Sequence, residues 1–92
     1  MIETFKCRDT QALFEGRRVA RFVNIESVAL RKLAMLNRAV KVDDLRIPPN
    51  NRLEQLKGDR EGAWSIRVND QWRVCFRFEN ANMYDVEIVD YH

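Results

Sequence analysis

The chain has 92 residues, of which 46% are hydrophobic and 33% are charged. This is the composition of a small globular domain, so we expect one domain over residues 1–92 and neither a disordered nor a fibrous chain. No apolar run approaches the roughly 18–20 residues that span a bilayer, and the N-terminal residues lack a secretion signal, so we expect a cytoplasmic protein without a membrane partner. Two cysteines and one histidine exclude a dense disulfide scaffold and a zinc cluster.

The net charge of +2 is distributed unevenly along the chain. Residues 1–45 and residues 46–77 each carry a formal charge of +3, whereas residues 78–92 contain no lysine or arginine and carry −4. Most of the basic residues are arginines, whose planar, permanently charged guanidinium suits phosphates and base edges. This pattern is compatible with a nucleic-acid partner and equally with a solvated basic surface.

The first half of the chain predicts a short strand and two helices. We expect a strand over 2–7, then a short helix over 11–15 that is capped by Asp9 or Thr10 and stopped by Gly16. A longer helix follows, capped by Asn24, with an apolar stripe at helical spacing. The stripe comprises Ile25, Val28, Ala29, Leu33, Leu36 and Val40, and the polar side comprises Arg31, Lys32, Arg38 and Lys41.

After this helix the sequence predicts a turn at residues 43–45 and a rigid, extended break at residues 48–51. The apolar period then changes from 3.6 to 2. We expect a strand over 52–56 and a three-stranded meander over residues 63–89, with turns at residues 69–70 and 79–82. The fold class is therefore α+β: two N-terminal helices packed on one face of a small, curved, mainly antiparallel sheet.

The opposite face of this sheet is predicted to be charged and open. It carries Arg67, Arg73, Arg77, Asp85 and Glu87. Arg73 lies near the middle of a central strand, where it either forms a cross-strand ion pair with Glu87 or Asp85 or clamps a phosphate. The glycine-framed loop 57–62 is either an ordinary solvated loop or the place from which two basic residues, Lys57 and Arg60, reach a polyanion.

The last three residues bring together groups that acid–base chemistry uses. His92 is the only histidine, and Asp90 can orient its ring and raise its pKa toward neutrality. A terminal histidine is more often an unimportant, frayed residue. Tyr91 either packs at the sheet edge or stacks on a base, as aromatic residues do in single-stranded RNA readers. We expect His92 and Arg73 to converge on a single phosphodiester linkage.

Residues 56–74, with the sequence LKGDREGAWSIRVNDQWRV, and the ending VDYH resemble the HigB toxins of the RelE superfamily, also described as plasmid-maintenance killer proteins. The resemblance is dense over residues 53–92 and weak over residues 8–50. It implies a RelE-like fold and a ribosome-dependent messenger-RNA endonuclease that acts in the decoding A site. Its functional positions match here at Lys57, Arg73, Asp90, Tyr91 and His92.

The chemistry that this family implies, attack of a ribose 2′-hydroxyl on the adjacent phosphate, requires no metal or cofactor. It needs a base, an acid and cations around the phosphorane. We assign the acid or base role to His92, its orientation to Asp90, and charge stabilisation to Arg73 and Lys57, with Lys57 also a possible base. Tyr91 would contact the splayed nucleotide. Further RNA-binding residues are predicted to be Arg60, Arg67, Arg77 and Trp72.

The resemblance also implies partners: the ribosome, mRNA, and a helix-turn-helix, HigA-like antitoxin. The toxin would contact operator DNA only as part of its complex with this antitoxin. The basic residues Arg17, Arg18, Arg21, Arg31 and Lys32 are available for an acidic partner or for ribosomal RNA, or merely solubilise a helix. Two alternatives share the fold. One is a non-enzymatic, ParE-like toxin that binds DNA gyrase, and the other is an inactive module that only binds the antitoxin.

Overall fold

Two helices precede four strands in the computed structural model, which describes residues 1–58 and 62–91. The helices are α1, Arg8–Phe14, and α2, Glu26–Arg38. The strands are β1, Glu54–Gln55, β2, Ala63–Arg67, β3, Trp72–Glu79, and β4, Asn82–Asp90. Short 3₁₀ helices occupy Ala20–Phe22, Val42–Arg46 and Pro49–Asn51. Among the described residues, no helix is both long enough and apolar enough to cross a membrane.

The C-terminal end of helix α1 agrees with the sequence prediction, and its N-terminal end does not. Gly16 has a φ of 89°, and its amide donates to the Leu13 carbonyl at 3.0 Å while the Arg17 amide donates to the Ala12 carbonyl at 2.9 Å. This is a Schellman motif, and it confirms the predicted stop. The predicted cap is wrong, because the helix begins at Arg8 and its N-cap residue makes no side-chain hydrogen bond. The hydroxyl of Thr10 instead accepts a hydrogen bond from the Ile88 amide in β4 at 3.0 Å.

Helix α2 carries the predicted apolar stripe with two corrections. Ala29, Leu33 and Leu36 are fully buried, whereas Val40 lies beyond the helix end and is 63% exposed. Lys32, which the helical spacing predicts on the polar side, is buried, because its side chain turns toward a buried asparagine in the segment that leads to β1. The predicted Asn24 cap is also wrong, since the N-cap residue is Ile25 and it makes no side-chain hydrogen bond.

The segment between α2 and the sheet is more helical than its prolines predicted. The turn at residues 43–45 is confirmed as part of the 3₁₀ helix Val42–Arg46. The prediction of an extended break at residues 48–51 is wrong, because Pro49–Asn51 form another 3₁₀ helix, in which Pro49 occupies the first turn. Proline is compatible with this position because a first-turn residue has no helical partner for its amide.

The four strands form one antiparallel sheet in the order β1-β2-β3-β4. The hairpin between β2 and β3 is held by Asn69, whose Oδ1 accepts from the amides of Gln71 and Trp72, both at 2.8 Å. The second turn uses positive φ angles at Asn80 and Ala81, 51° and 67°. Residues 2–7 form no strand of their own and only bridge to β4 in parallel fashion at two points. The strand predicted over 52–56 shortens to the two residues of β1.

The core lies between the helices and one sheet face. Its sheet side is formed by Ile66, Val74, Phe76, Met83, Val86 and Ile88. A bulge in β4 lies opposite the stretch between Cys75 and Arg77 and includes Asp85 at φ 54°, and it reverses the alternation in β4. A strict period of 2 would place Tyr84 on the same face as Val86 and Ile88. The bulge places it on the opposite face, and fully buried Met83 takes the inward position.

Candidate functional site

Arg73 is the anchor of the candidate site on the sheet face opposite the helices. Its Nε donates to Ser65 Oγ at 2.8 Å, and its Nη2 donates to the Arg52 carbonyl at 2.7 Å and to the Ser65 carbonyl at 3.3 Å. Only 9% of Arg73 is exposed. Of the two alternatives for Arg73, the cross-strand ion pair with Glu87 or Asp85 is wrong, because the side chain lies across β2 and reaches Glu54 of β1 at 3.5 Å.

This conformation changes the predicted character of the charged face. Ser65, Arg73 and Cys75 are all buried at its centre, so the prediction of a fully open face is wrong there. The cause is the side chain of Arg73, which donates hydrogen bonds to Ser65 and extends toward the edge strand instead of pointing into solvent. A buried guanidinium bonded to one hydroxyl and two carbonyls has a fixed orientation, because each of these acceptors is itself fixed.

The C-terminal end of β4 lies beside Arg73. Asp90 is the register partner of Trp72, and the Tyr91 amide donates to the Gln71 carbonyl at 2.6 Å. The Tyr91 ring centroid is 5.8 Å from Arg73 Cζ, and 43% of Tyr91 is exposed. The sheet therefore brings the guanidinium and an exposed phenol ring together at one end of two adjacent strands. The register places Asp90 at this end too, but opposite Trp72, whose side chain lies on the other face.

The Asp90 carboxylate is held at this end by Gln71, whose Nε2 donates to Asp90 Oδ2 at 3.0 Å. His92 and Arg60 lie outside the described residues, so their roles stay predictions. Lys57 lies within the described residues and is exposed. It follows β1, the strand whose Glu54 contacts Arg73. Its ammonium forms no ion pair with the residues that the structure describes.

The other predicted RNA-binding residues do not share the Arg73 cluster. Arg67 is the register partner of Arg73 but pairs with Asp70 in the hairpin. This hydrogen bond and the charge of Arg67 hold the pKa of Asp70 below its usual range. Arg77 pairs with Asp85 at 3.1 Å and with Glu79 at 3.2 Å.

Trp72 points to the opposite face from Arg73. Its ring packs edge-on against Phe22, with centroids 5.5 Å apart and an interplanar angle of 87°. Adjacent residues of a strand alternate between the two faces, so this side chain belongs to the helix-facing layer. Its contact with Phe22 is a packing contact of the core.

Sequence reasoning missed three groups that hold Arg73: the hydroxyl of Ser65, the carbonyl of Arg52 and the carboxylate of Glu54. Ser65 could have been found from the hairpin register, which places it two residues before Arg67 on the same face. The Arg52 carbonyl had no sequence signal, because its direction depends on a left-handed backbone at that residue, with φ 45°. Over residues 1–58 and 62–91, no cluster of three or more histidine, cysteine or acidic side chains could hold a metal ion.

Residues 5–92 match the model of a family described as the RelE-like toxin of the type II toxin–antitoxin system HigB. The chain belongs to the HigB-like toxin family. It is therefore a toxin of a type II toxin–antitoxin module, and its module partner is an antitoxin. The resemblance carried by residues 56–74 and by the ending is confirmed.

Two relatives support the assignment of this HigB-like toxin. Endoribonuclease HigB of Proteus vulgaris is 36% identical over 94 residues and covers all of both chains. Toxin HigB-1 of Vibrio cholerae is 41% identical over 76 residues, or 80% of each chain.

Two solved structures share the fold at low identity. A YafQ variant from E. coli superposes with a TM-score of 0.67 at 13% identity, covering 99% of this chain and 92% of the other. The YoeB/ParE toxin from Agrobacterium tumefaciens superposes with a TM-score of 0.55 at 18% identity, covering 99% of this chain and 98% of the other. The predicted RelE-like α+β fold is confirmed.

Proposed function

We propose that this HigB-like toxin is a ribosome-dependent endoribonuclease that cleaves translated mRNA in the ribosomal A site. The observation that carries the proposal is the fixed Arg73 guanidinium beside the exposed Tyr91 ring, with Asp90 at the same strand end. A cation and a flat ring side by side suit a phosphate and the base next to it. The full-length relative named Endoribonuclease HigB supports the same reaction class.

The reaction that we propose is an internal transesterification. The 2′-oxygen of the ribose bonds to the adjacent phosphorus, and the bond from phosphorus to the 5′-oxygen of the next nucleotide breaks. A base takes the 2′-hydroxyl proton, and an acid gives a proton to the departing 5′-oxygen. The products are a 2′,3′-cyclic phosphate and a 5′-hydroxyl. No oxidant, cofactor or external nucleophile enters this balance.

Each predicted residue has a proposed role in this step. Arg73 and Lys57 stabilise the charge that accumulates on the phosphorane oxygens. His92 acts as the acid or the base, with Asp90 orienting its ring. Tyr91 contacts the splayed nucleotide.

Arg60, Arg67 and Arg77 are proposed to contact the RNA backbone. The exposure of Lys57 and Tyr91 supports an encounter with a large substrate at this edge. The proposed role of Trp72 is indirect, since its ring fixes the start of β3 against the helices.

Dependence on the ribosome follows from the small number of catalytic groups. One acid or base contributes about 10²–10⁴-fold, and one charge-stabilising donor contributes about 10²–10³-fold. Positioning of reactants supplies much larger factors in well-oriented systems. We propose that the ribosome supplies this positioning by holding the mRNA in the geometry for 2′-hydroxyl attack.

We further propose that the antitoxin is a helix-turn-helix, HigA-like protein encoded with the toxin. It would neutralise the toxin in the cytoplasm and carry it to operator DNA only as a complex. The family assignment supports an antitoxin partner. A structure of the purified toxin–antitoxin complex tests whether the antitoxin has a helix-turn-helix fold.

The experiment compares single-turnover cleavage of one mRNA, free in solution and bound to programmed ribosomes. The wild type should cleave the ribosome-bound mRNA and leave the free mRNA nearly intact. Arg73→Ala should lower the rate about 10²–10³-fold while the variant stays folded. Arg46→Ala, which removes an exposed arginine paired with Asp43 beside α2, is the matched control and should cleave like the wild type. Equal cleavage of free mRNA would contradict the role of the ribosome.

The same preparations separate the proposal from the gyrase-binding alternative. Expression of the toxin should stop protein synthesis before plasmid supercoiling changes. Loss of supercoiling with intact mRNA would favour the ParE-like function. Absence of both effects, together with tight antitoxin binding, would favour an inactive binding module.

A further inference from the structure

A polar connection leads from helix α2 through the body of the protein to Arg73. It begins at Lys32, which is only 9% exposed although it is a lysine in an amphipathic helix. Its Nζ donates to Asn51 Oδ1 at 2.6 Å. Burial lowers the pKa of Lys32, and the charges of Arg31 and Arg67 lower it further. An ammonium buried at this cost, with a specific hydrogen-bond partner, requires an explanation.

Asn51, the partner of Lys32, is completely buried and its side chain is fully engaged. Nδ2 donates to the Leu45 carbonyl at 3.1 Å and lies 3.7 Å from Met35 Sδ. Its backbone amide donates to the Pro48 carbonyl at 3.0 Å. Both ends of the amide and the backbone are therefore tied to surrounding elements, which fixes the end of the 3₁₀ helix Pro49–Asn51.

The next residue transmits this constraint to the site. Arg52 has a left-handed backbone with φ 45°, a conformation that non-glycine residues adopt only when their surroundings impose it. In this conformation its carbonyl accepts the hydrogen bond from Arg73 Nη2 at 2.7 Å. This acceptor belongs to the residue that directly follows Asn51, the hydrogen-bond partner of Lys32.

We propose that Lys32 and Asn51 are positioning residues, which fix the Arg52 carbonyl and thereby the orientation of the Arg73 guanidinium. Neither side chain contacts Arg73, and they act through the Arg52 backbone. The inference rests on the proposed ribonuclease for its effect on rate. Its structural part, the orientation of Arg73, stands without that function.

The decisive variant replaces both members of the pair with apolar residues of similar size, Lys32→Met with Asn51→Leu. This double replacement removes the Lys32–Asn51 hydrogen bond without leaving either of its two partners unpaired, and it leaves only the Leu45 carbonyl without its donor, so the folded state should be retained at reduced stability. Lys32→Met alone leaves Asn51 Oδ1 without its donor and serves as a second variant. Arg38→Met, which removes an exposed cation from the same helix, is the matched control.

Two measurements are made on every variant. The first is the ¹⁵N signal of the Arg73 Nε–H group and its exchange with solvent, in the toxin alone. The second is the split between kcat and KM on programmed ribosomes. The double variant should shift and broaden the Arg73 signal and lower kcat about 10- to 100-fold with little change in KM, because misplacement of a catalytic group affects the chemical step. The control should match the wild type in both.

A purely structural role for the pair predicts a different result. The double variant would then keep the wild-type Arg73 signal and the wild-type kcat even if its melting temperature falls, and the proposal would be wrong. If the wild type fails to cleave ribosome-bound mRNA, the proposed function fails, but the Arg73 signal still decides the positioning role. If the double variant does not fold, Lys32→Met is judged by the same two measurements.

Discussion

Removal of the Ser65 hydroxyl tests whether catalysis needs the guanidinium to be held. Ser65 is fully buried, and its Oγ accepts from Arg73 Nε at 2.8 Å. A hydrogen bond to a charged group contributes about 1.5–3 kcal/mol, so Ser65→Ala should lower the free energy of unfolding by about that amount. Nη2 keeps its bond to the Arg52 carbonyl, so the guanidinium is loosened and not released. We expect kcat to fall about tenfold, which corresponds to about 1.4 kcal/mol of transition-state stabilisation.

The assay pairs urea unfolding with turnover on mRNA-programmed ribosomes at a saturating concentration. Ser27→Ala is the control, because Ser27 is an exposed residue of α2 and its substitution should change stability by less than about 0.5 kcal/mol. A Ser65→Ala variant that loses stability but keeps full kcat would refute the reasoning. It would show that the orientation of Arg73 is irrelevant to the chemical step.

Three further predictions concern other parts of the fold. Thr10→Val removes the acceptor of the Ile88 amide in a fully buried position and should destabilise the protein by about 1–3 kcal/mol in thermal or urea unfolding. Asn69→Ala removes the cap of the β2–β3 hairpin and should cost about 1 kcal/mol in the same measurement. Burial raises the pKa of the Cys7 thiol, but hydrogen bonds, including one from Arg21, outweigh it and leave the pKa lowered. Arg21→Ala should therefore raise this pKa and slow alkylation by iodoacetamide near neutral pH, whereas an unchanged rate profile would contradict that cause.

Much of the architecture could be predicted because it depends on local patterns. The period-2 alternation over residues 63–79, the Asn69 turn and the Gly16 stop each express one backbone rule, and each is present in the structure. The RelE-like fold and the family also agree with the resemblance. Errors arose where tertiary contacts override the local rule, as at Lys32, which leaves the polar side of its helix to meet a distant asparagine.

The candidate site also combines features that local patterns predict with features that depend on tertiary contacts. Arg73 and the end of β4 could be predicted to adjoin, because an antiparallel meander places the end of its last strand beside the start of the one before. The acceptors of Arg73 could not, since the direction of its side chain and the left-handed turn at Arg52 depend on contacts across the whole chain. The bulge at Asp85 was equally hidden, because a bulge adds one residue without a consistent sequence signal.

The most direct test of the central claim is the chemistry of the cut. A ribosome-bound mRNA with a single 2′-deoxy nucleotide at the mapped cleavage position is compared with the all-ribose mRNA. We predict that the 2′-deoxy substitution abolishes cleavage at that position, and that the all-ribose product carries a 2′,3′-cyclic phosphate and a 5′-hydroxyl. Cleavage of the 2′-deoxy mRNA at the same position and rate would contradict the account.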